Sequence, residues 1–175
     1  MAAAVIMGVS GAGKSTVGNA LARRLGWAFV DGDSLHPPSN MAKMHVGQAL
    51  DDRDRKPWLA ATAAQIDAWL QRGKPGVIAC SALKRRYRNA IIGDRTAVRL
   101  IYLEGSQTLI AHRLTQRRGH FMPATLLDSQ FAALEPPAPE ENAIVASIDN
   151  PVEAIVEHIV TVLSSRQASM TMAPA

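Results

Sequence analysis

Short apolar runs punctuated by turn residues alternate along this chain with longer stretches whose apolar positions recur every three or four residues. That alternation predicts a parallel sheet covered by helices, an α/β fold. Five runs read as strands: Ala3 to Met7, Trp27 to Val30, Gly76 to Cys80, Arg99 to Leu103 and Ala143 to Ile148. Between the first two, VGNALARRLG places Val17, Leu21 and Leu25 on one face and ends at Gly26, a suitable C-terminal cap. Pro57 can open the next helix, because a proline in the first turn forfeits no hydrogen bond. That helix ends at Gly73 and carries Trp58, Ile66, Trp69 and Leu70 at core spacing. A last helix is predicted from about Val152 to Leu163, followed by an aperiodic tail, Ser164 to Ala175, expected to fray and, over 166–175, to be flexible. Residues 1–165 then form a single domain, and the proline-rich stretch from Glu135 to Asn142 is a connection within it.

Composition narrows the picture only modestly. A chain of 175 residues with 47% apolar and 19% charged positions suits one domain with a substantial core. Its formal charge of +4 is compatible with an anionic ligand but lacks the clustered basic face of a nucleic-acid binder, so no nucleic-acid partner is expected. The single cysteine, Cys80, excludes an intrachain disulfide and favours a reducing, cytoplasmic setting. It reads as a buried, inert thiol. The N-terminus reads as a buried strand rather than a secretion signal, and no run is long enough to span a membrane; a soluble protein without a membrane partner is expected.

The chemistry begins directly after the first strand. Gly8, Val9, Ser10, Gly11, Ala12, Gly13, Lys14 and Ser15 match G-x-x-x-x-G-K-[ST] at every fixed position, with a predicted strand before and an amphipathic helix behind. Backbone N–H groups of such a loop turn toward phosphates at a helix N-terminus, Lys14 reaches the β- and γ-phosphates, and Ser15 offers its hydroxyl to Mg²⁺. Thr16 follows in the same first turn. The loop establishes nucleotide binding without distinguishing kinase, GTPase or motor.

AFVDGDSLH ends the second strand with Asp31 and Asp33, which share one side of the chain if it stays extended. The carboxyl ends of strands are where an open α/β sheet binds ligands. The third strand, VIACSALK, lacks the terminal aspartate that helps hold Mg²⁺ in many such proteins, so Asp31 is the candidate to do so through a bound water. Asp33 is then free to orient or deprotonate an acceptor hydroxyl. Either acid could instead cap the turn that follows it.

The passage DGDSLHPPSNMAKMHVGQALDDRDRKPWL, then CSALKRRYR, then RLTQRRGHFMPATLLDSQFAALEPP, resembles the thermoresistant-type gluconokinases, P-loop kinases related to shikimate kinase and the nucleoside monophosphate kinases. The similarity runs in order from about Val5 to Pro151. It implies a P-loop kinase fold with a five-stranded parallel sheet and a lid at about 113–124. It also implies ATP-dependent phosphorylation of D-gluconate to 6-phospho-D-gluconate by a cytosolic homodimer using ATP and Mg²⁺. On this resemblance Asp33 is the base, and His36, Lys43 and Arg55 are candidate substrate contacts. Lys84 and Arg88, after the third strand, are candidates for the carboxylate or the transferring phosphoryl group; Arg85 and Arg86 face solvent. Arg113 and Arg117, a helical turn apart, and Arg118 are lid arginines for the phosphates. Two positions depart from the family pattern, Ala49 in place of a usual proline and Arg53 in place of a common acid. Rival readings are a kinase of another small acceptor, such as shikimate or a nucleoside monophosphate, and a nucleotide-dependent regulatory protein.

Overall fold

The computed structural model describes residues 2–115 and 124–171. Five strands, β1 (Ala3–Met7), β2 (Ala28–Asp31), β3 (Gly76–Ala79), β4 (Val98–Glu104) and β5 (Ile144–Ser147), form one sheet in the order β2-β3-β1-β4-β5. Every pairing is parallel. The five predicted strands are all present, with ends shifted by one residue at most of their boundaries.

Among the described residues seven α-helices accompany them: α1 (Lys14–Leu25), α2 (Pro38–His45), α3 (Asp52–Arg72), α4 (Arg85–Ile92), α5 (Gln107–Thr115), α6 (Ala124–Ala133) and α7 (Val152–Thr171). The central strand β1 is buried at every position because both faces of the sheet are covered. Alternation divides its side chains: Ala4 and Ile6 join the core under α1 and α7, whereas Ala3, Val5 and Met7 join the core under α3 and α4. Two apolar layers therefore clamp the sheet and fix its carboxyl edge in place.

Helix α1 stops where the sequence says it should. Gly26 takes a left-handed conformation, and the Trp27 N–H returns to the Ala22 carbonyl at 2.8 Å. Helix α3 does not start where expected. Asp51 and Asp54 form a reciprocal capping box, with Asp54 N–H to Asp51 Oδ1 at 2.8 Å and Asp51 N–H to Asp54 Oδ2 at 3.1 Å. The helix thus begins at Asp52 and Pro57 lies inside it, one turn later than a helix-opening proline. Pro57 has no N–H to give the Arg53 carbonyl, and the capping box together with two aspartates in the first turn offsets that loss. The charge run DDRDRK is accordingly a helix start as well as a polar surface.

Helix α7 continues to Thr171 rather than ending near Leu163. Its last two turns lack an apolar stripe, but no proline or glycine interrupts them before Pro174, so the backbone bonding simply runs on. Among the described residues no helix is long and apolar enough to cross a membrane.

Candidate active site

The donor half is built around the turn from β1 into α1. Gly13, at the N-cap of α1, has φ of 89°, a conformation that aims successive backbone N–H groups into one concavity and that a side chain would resist. Val9 and Ala12 are buried and anchor the loop on the core. Lys14 Nζ donates to the Val9 carbonyl at 3.1 Å, which folds the ammonium back over the loop. Gly11, Gly13 and Thr16, with Arg113, Asn150 and Pro151 opposite, line a cavity of about 390 Å³ beside the loop. Arg113 Nη2 donates to the Ile148 carbonyl, so this arginine forms part of the cavity wall. Arg117 and Arg118 lie outside the described residues, as does most of the lid expected at 113–124.

Ser15 joins the donor half to β2. Its hydroxyl donates to Asp31 Oδ2 at 2.6 Å. A hydroxyl and a carboxylate in direct contact at the mouth of a phosphate loop make an all-oxygen pair suited to a hard divalent cation that keeps most of its ligands from water and phosphate. Among the described residues there is no larger cluster of metal-binding side chains. Asp31 also caps: its Oδ1 accepts from the Asp33 N–H at 3.1 Å. The chain therefore does not stay extended after Asp31 but enters a 3₁₀ turn, Gly32–Leu35, which carries the exposed Asp33 side chain.

Gly32 explains why the two acids are separated by a glycine. A Cβ there would lie 2.6 Å from the Ala79 carbonyl oxygen and 2.8 Å from Cys80 Cβ, so only a hydrogen can fit between the turn and the end of β3. Cys80 is fully buried beneath this contact, and burial pushes its thiol up to about 12, which leaves it inert. The Gly32 carbonyl accepts from Trp58 Nε1–H at 2.7 Å. Trp58, expected as core, is completely buried and also holds the turn that carries Asp33.

The residues expected to contact the acceptor extend from this turn across α2 and α3 to the start of α4. His36 stacks on Trp58 with ring centroids 4.7 Å apart and 8° between planes. Burial keeps its pKa below the ordinary histidine value; nearby Asp33 opposes that shift and Arg55 reinforces it. Lys43 reaches the region already paired, Nζ to Asp54 Oδ1 at 2.6 Å. Arg55, Lys84 and Arg86 surround the ring of Tyr87, each 5.4 to 5.7 Å from its centroid, and Tyr87 donates its hydroxyl to Asp52. Arg86, expected to face solvent, is half exposed but also bonds Asp52 at 2.5 Å, and Arg85 pairs with Glu140 at 2.8 Å.

Arg88 corrects the sequence reading. It is 2% exposed, and its guanidinium meets Glu141 through Nε at 2.5 Å and Nη2 at 2.7 Å. Its Nη1 donates to the carbonyls of Ala82, Leu83 and Glu135 at 3.3, 3.1 and 2.9 Å. A side chain with every nitrogen committed cannot also receive a substrate carboxylate. Arg88 instead secures the loop after β3, where buried Ala82 has φ of 40°, an unfavourable value for a residue with a Cβ. That loop carries Lys84, so Arg88 contributes to the site by supporting it.

Sequence reasoning missed Asn40, Tyr87, Asp52, Asp54 and Gln130. The Asp-x-x-Asp spacing of the α3 capping box was a local signal for Asp54. Gln130 had none: its Oε1 accepts from the Ser10 N–H at 2.7 Å, tying α6 to the phosphate loop across 120 positions.

The Asp54 contact makes a testable pH prediction. Its carboxyl is held below the ordinary aspartate value, first by the Lys43 hydrogen bond and then by the Asp51 N–H. A depressed folded pKa stabilises above the unfolded value and loses that contribution as pH falls through the folded one. Asp54→Asn should therefore lower the denaturant midpoint at neutral pH and converge with the parent at acid pH. Parallel midpoint differences at every pH would contradict this account.

Comparison with known proteins fits these features. A family model described as shikimate kinase matches residues 10–164. The gluconokinase of Gluconobacter oxydans is 46% identical, with 89% of this chain and 88% of the relative aligned. The thermoresistant gluconokinase of Escherichia coli is 43% identical over 91% of each chain. A crystal structure of a gluconokinase from Sinorhizobium meliloti superposes with a TM-score of 0.88 at 38% identity, covering 98% of both chains. With the phosphate loop, the strand-end acids and the sheet order all in place, the chain belongs to the gluconokinase family of P-loop kinases.

Proposed function

We propose that this protein transfers the γ-phosphoryl group of ATP to the terminal hydroxyl of D-gluconate, giving 6-phospho-D-gluconate for the breakdown of sugar acids. Its relatives' names support the acceptor. The observation that carries the chemistry is the placement of Asp33, exposed on a turn whose N-cap residue, Asp31, is hydrogen-bonded to Ser15 of the phosphate loop. Donor and acceptor groups thereby meet at one sheet edge.

In this reading the backbone N–H groups from Gly8 to Ser15, with Thr16, cradle the nucleotide phosphates, and Lys14 neutralises the β- and γ-oxygens. Ser15, and Asp31 through a water, would hold Mg²⁺, which when bound draws charge from the phosphates. Asp33 accepts the proton of the attacking hydroxyl as its oxygen bonds to the γ-phosphorus; the bond from that phosphorus to the β,γ-bridging oxygen breaks and ADP leaves. Arg113 closes the nucleotide cavity, and Arg117 is assigned to the phosphoryl oxygens by family resemblance. His36, Lys43, Arg55 and Lys84 hold the polyol and its carboxylate. A cytoplasmic homodimer, by family resemblance, completes the proposal, with no nucleic-acid or membrane partner expected from the charge distribution and the lengths of the apolar runs.

A coupled ADP-release assay across sugar acids, neutral polyols, shikimate and nucleoside monophosphates tests the acceptor. Gluconate should give the highest kcat/KM. Robust turnover of another acceptor with no stimulation by gluconate would exclude the assignment, and ATP binding without turnover of any acceptor would favour a regulatory protein.

A further inference from the structure

Asn40, on α2, is 2% exposed and its side chain reaches across to α3. Its Nδ2 is 2.7 Å from the Asp54 carbonyl oxygen and 3.1 Å from His36 Nδ1. The first contact settles the orientation of the amide, because a carbonyl can only accept and a flipped Asn40 would set oxygen against oxygen. The second N–H then points at His36 Nδ1, which must present a lone pair. The proton of a neutral His36 is thereby left on Nε2. Stacking on Trp58 fixes the plane of the ring, and Asn40 fixes its rotation within that plane.

We infer that Asn40 is a positioning residue that holds His36 as its neutral Nε2–H tautomer, giving the acceptor site a fixed hydrogen-bond donor beside the carboxylate of Asp33. The inference deepens the gluconokinase reading and rests on it for the identity of the acceptor. A polyol hydroxyl is both donor and acceptor, so one group that only donates and one that only accepts can bind two of its valences without either group reorienting. Protonating His36 would place an N–H against the Asn40 N–H₂, and burial opposes the imidazolium as well. The charged groups that bear on the ring are Asp33 on the turn and Arg55 on α3; Lys43 on α2 is neutralised by Asp54.

Long-range ¹H–¹⁵N correlation spectra of the full chain, labelled at histidine and titrated with pH, read the tautomer directly. His36 should show Nε2–H and titrate below an ordinary histidine. In Asn40→Asp the carboxylate favours Nδ1–H: the tautomer should switch, the acid limb of kcat/KM for gluconate should move to higher pH, and gluconate KM should rise about three- to tenfold, with ATP KM unchanged. An Nδ1–H tautomer in the parent, or an unchanged tautomer and pH profile in N40D, would overturn the inference. If N40D does not fold, His36→Gln and His36→Leu decide it alongside the parent spectrum. Glutamine can return an N–H to the Nε2 position and should keep gluconate KM within about threefold of the parent, whereas leucine should not; equal damage from both would count against a donor role. Absence of gluconate turnover in a parent showing Nε2–H would remove the acceptor assignment and leave the tautomer standing.

Discussion

Asp33→Asn should reduce gluconate phosphorylation by about 10²–10⁴-fold while leaving nucleotide affinity and thermal stability close to those of the parent. The asparagine keeps the shape of the side chain and the backbone N–H that Asp31 caps, so the turn loses none of its supports. What disappears is the acceptor for the hydroxyl proton, since a neutral amide cannot take it. The phosphate loop does not depend on Asp33, because Ser15 bonds to Asp31 and Lys14 to the Val9 carbonyl. Steady-state kinetics, a nucleotide titration and a melting curve on the same preparation separate these effects. Normal turnover in D33N would remove Asp33 as the base, and a lost nucleotide site would show that the two acids act as one unit.

Arg88→Leu should be the most destabilising of the substitutions considered, at about 3–5 kcal/mol. Removing the guanidinium strands the Glu141 carboxylate, itself only 10% exposed, and withdraws donors from three carbonyls. For a chain of this size the melting temperature should fall by about 6–20 °C. Replacing both partners, Arg88→Leu with Glu141→Leu, should recover part of the loss, since an apolar pair leaves no buried charge unanswered. The recovery stays incomplete because Glu141 Oε1 also accepts from the Ala138 N–H at 2.9 Å. A direct substrate contact predicts the reverse pattern, a large rise in gluconate KM with unaltered melting. Thermal scans and gluconate kinetics on the two variants distinguish these roles.

The parts of this molecule that are legible in its sequence are those whose causes are local. Strand runs, the phosphate loop and the Gly26 cap each depend on neighbours within a few positions, and each appears where expected. Pro57 was misplaced although a local signal was present, because the acid three residues after Asp51 is another aspartate rather than the more familiar glutamate. The remaining differences are tertiary. Arg88 reads from its place after the third strand as a substrate contact, and it is Glu141, 53 positions away, together with the carbonyls of Ala82, Leu83 and Glu135, that takes it into the interior. Trp58 has the spacing of a core residue and is one, yet its indole N–H is committed to a carbonyl 26 positions earlier. Periodicity records which face of a helix is buried but not which polar atom is waiting on the other side. The candidate contacts Arg55 and Lys84 do converge, on the ring of Tyr87, whose role no local pattern announced.

The close fit of Gly32 against the end of β3 ties the turn that carries Asp33 to the sheet. With the turn pressed against Ala79 and Cys80 on one side and tethered to Trp58 on the other, the backbone that carries the proposed base is held on both sides. On the proposed mechanism Asp33 would then serve as a datum against which both substrates are aligned, with the path of the proton set by how those substrates are brought in.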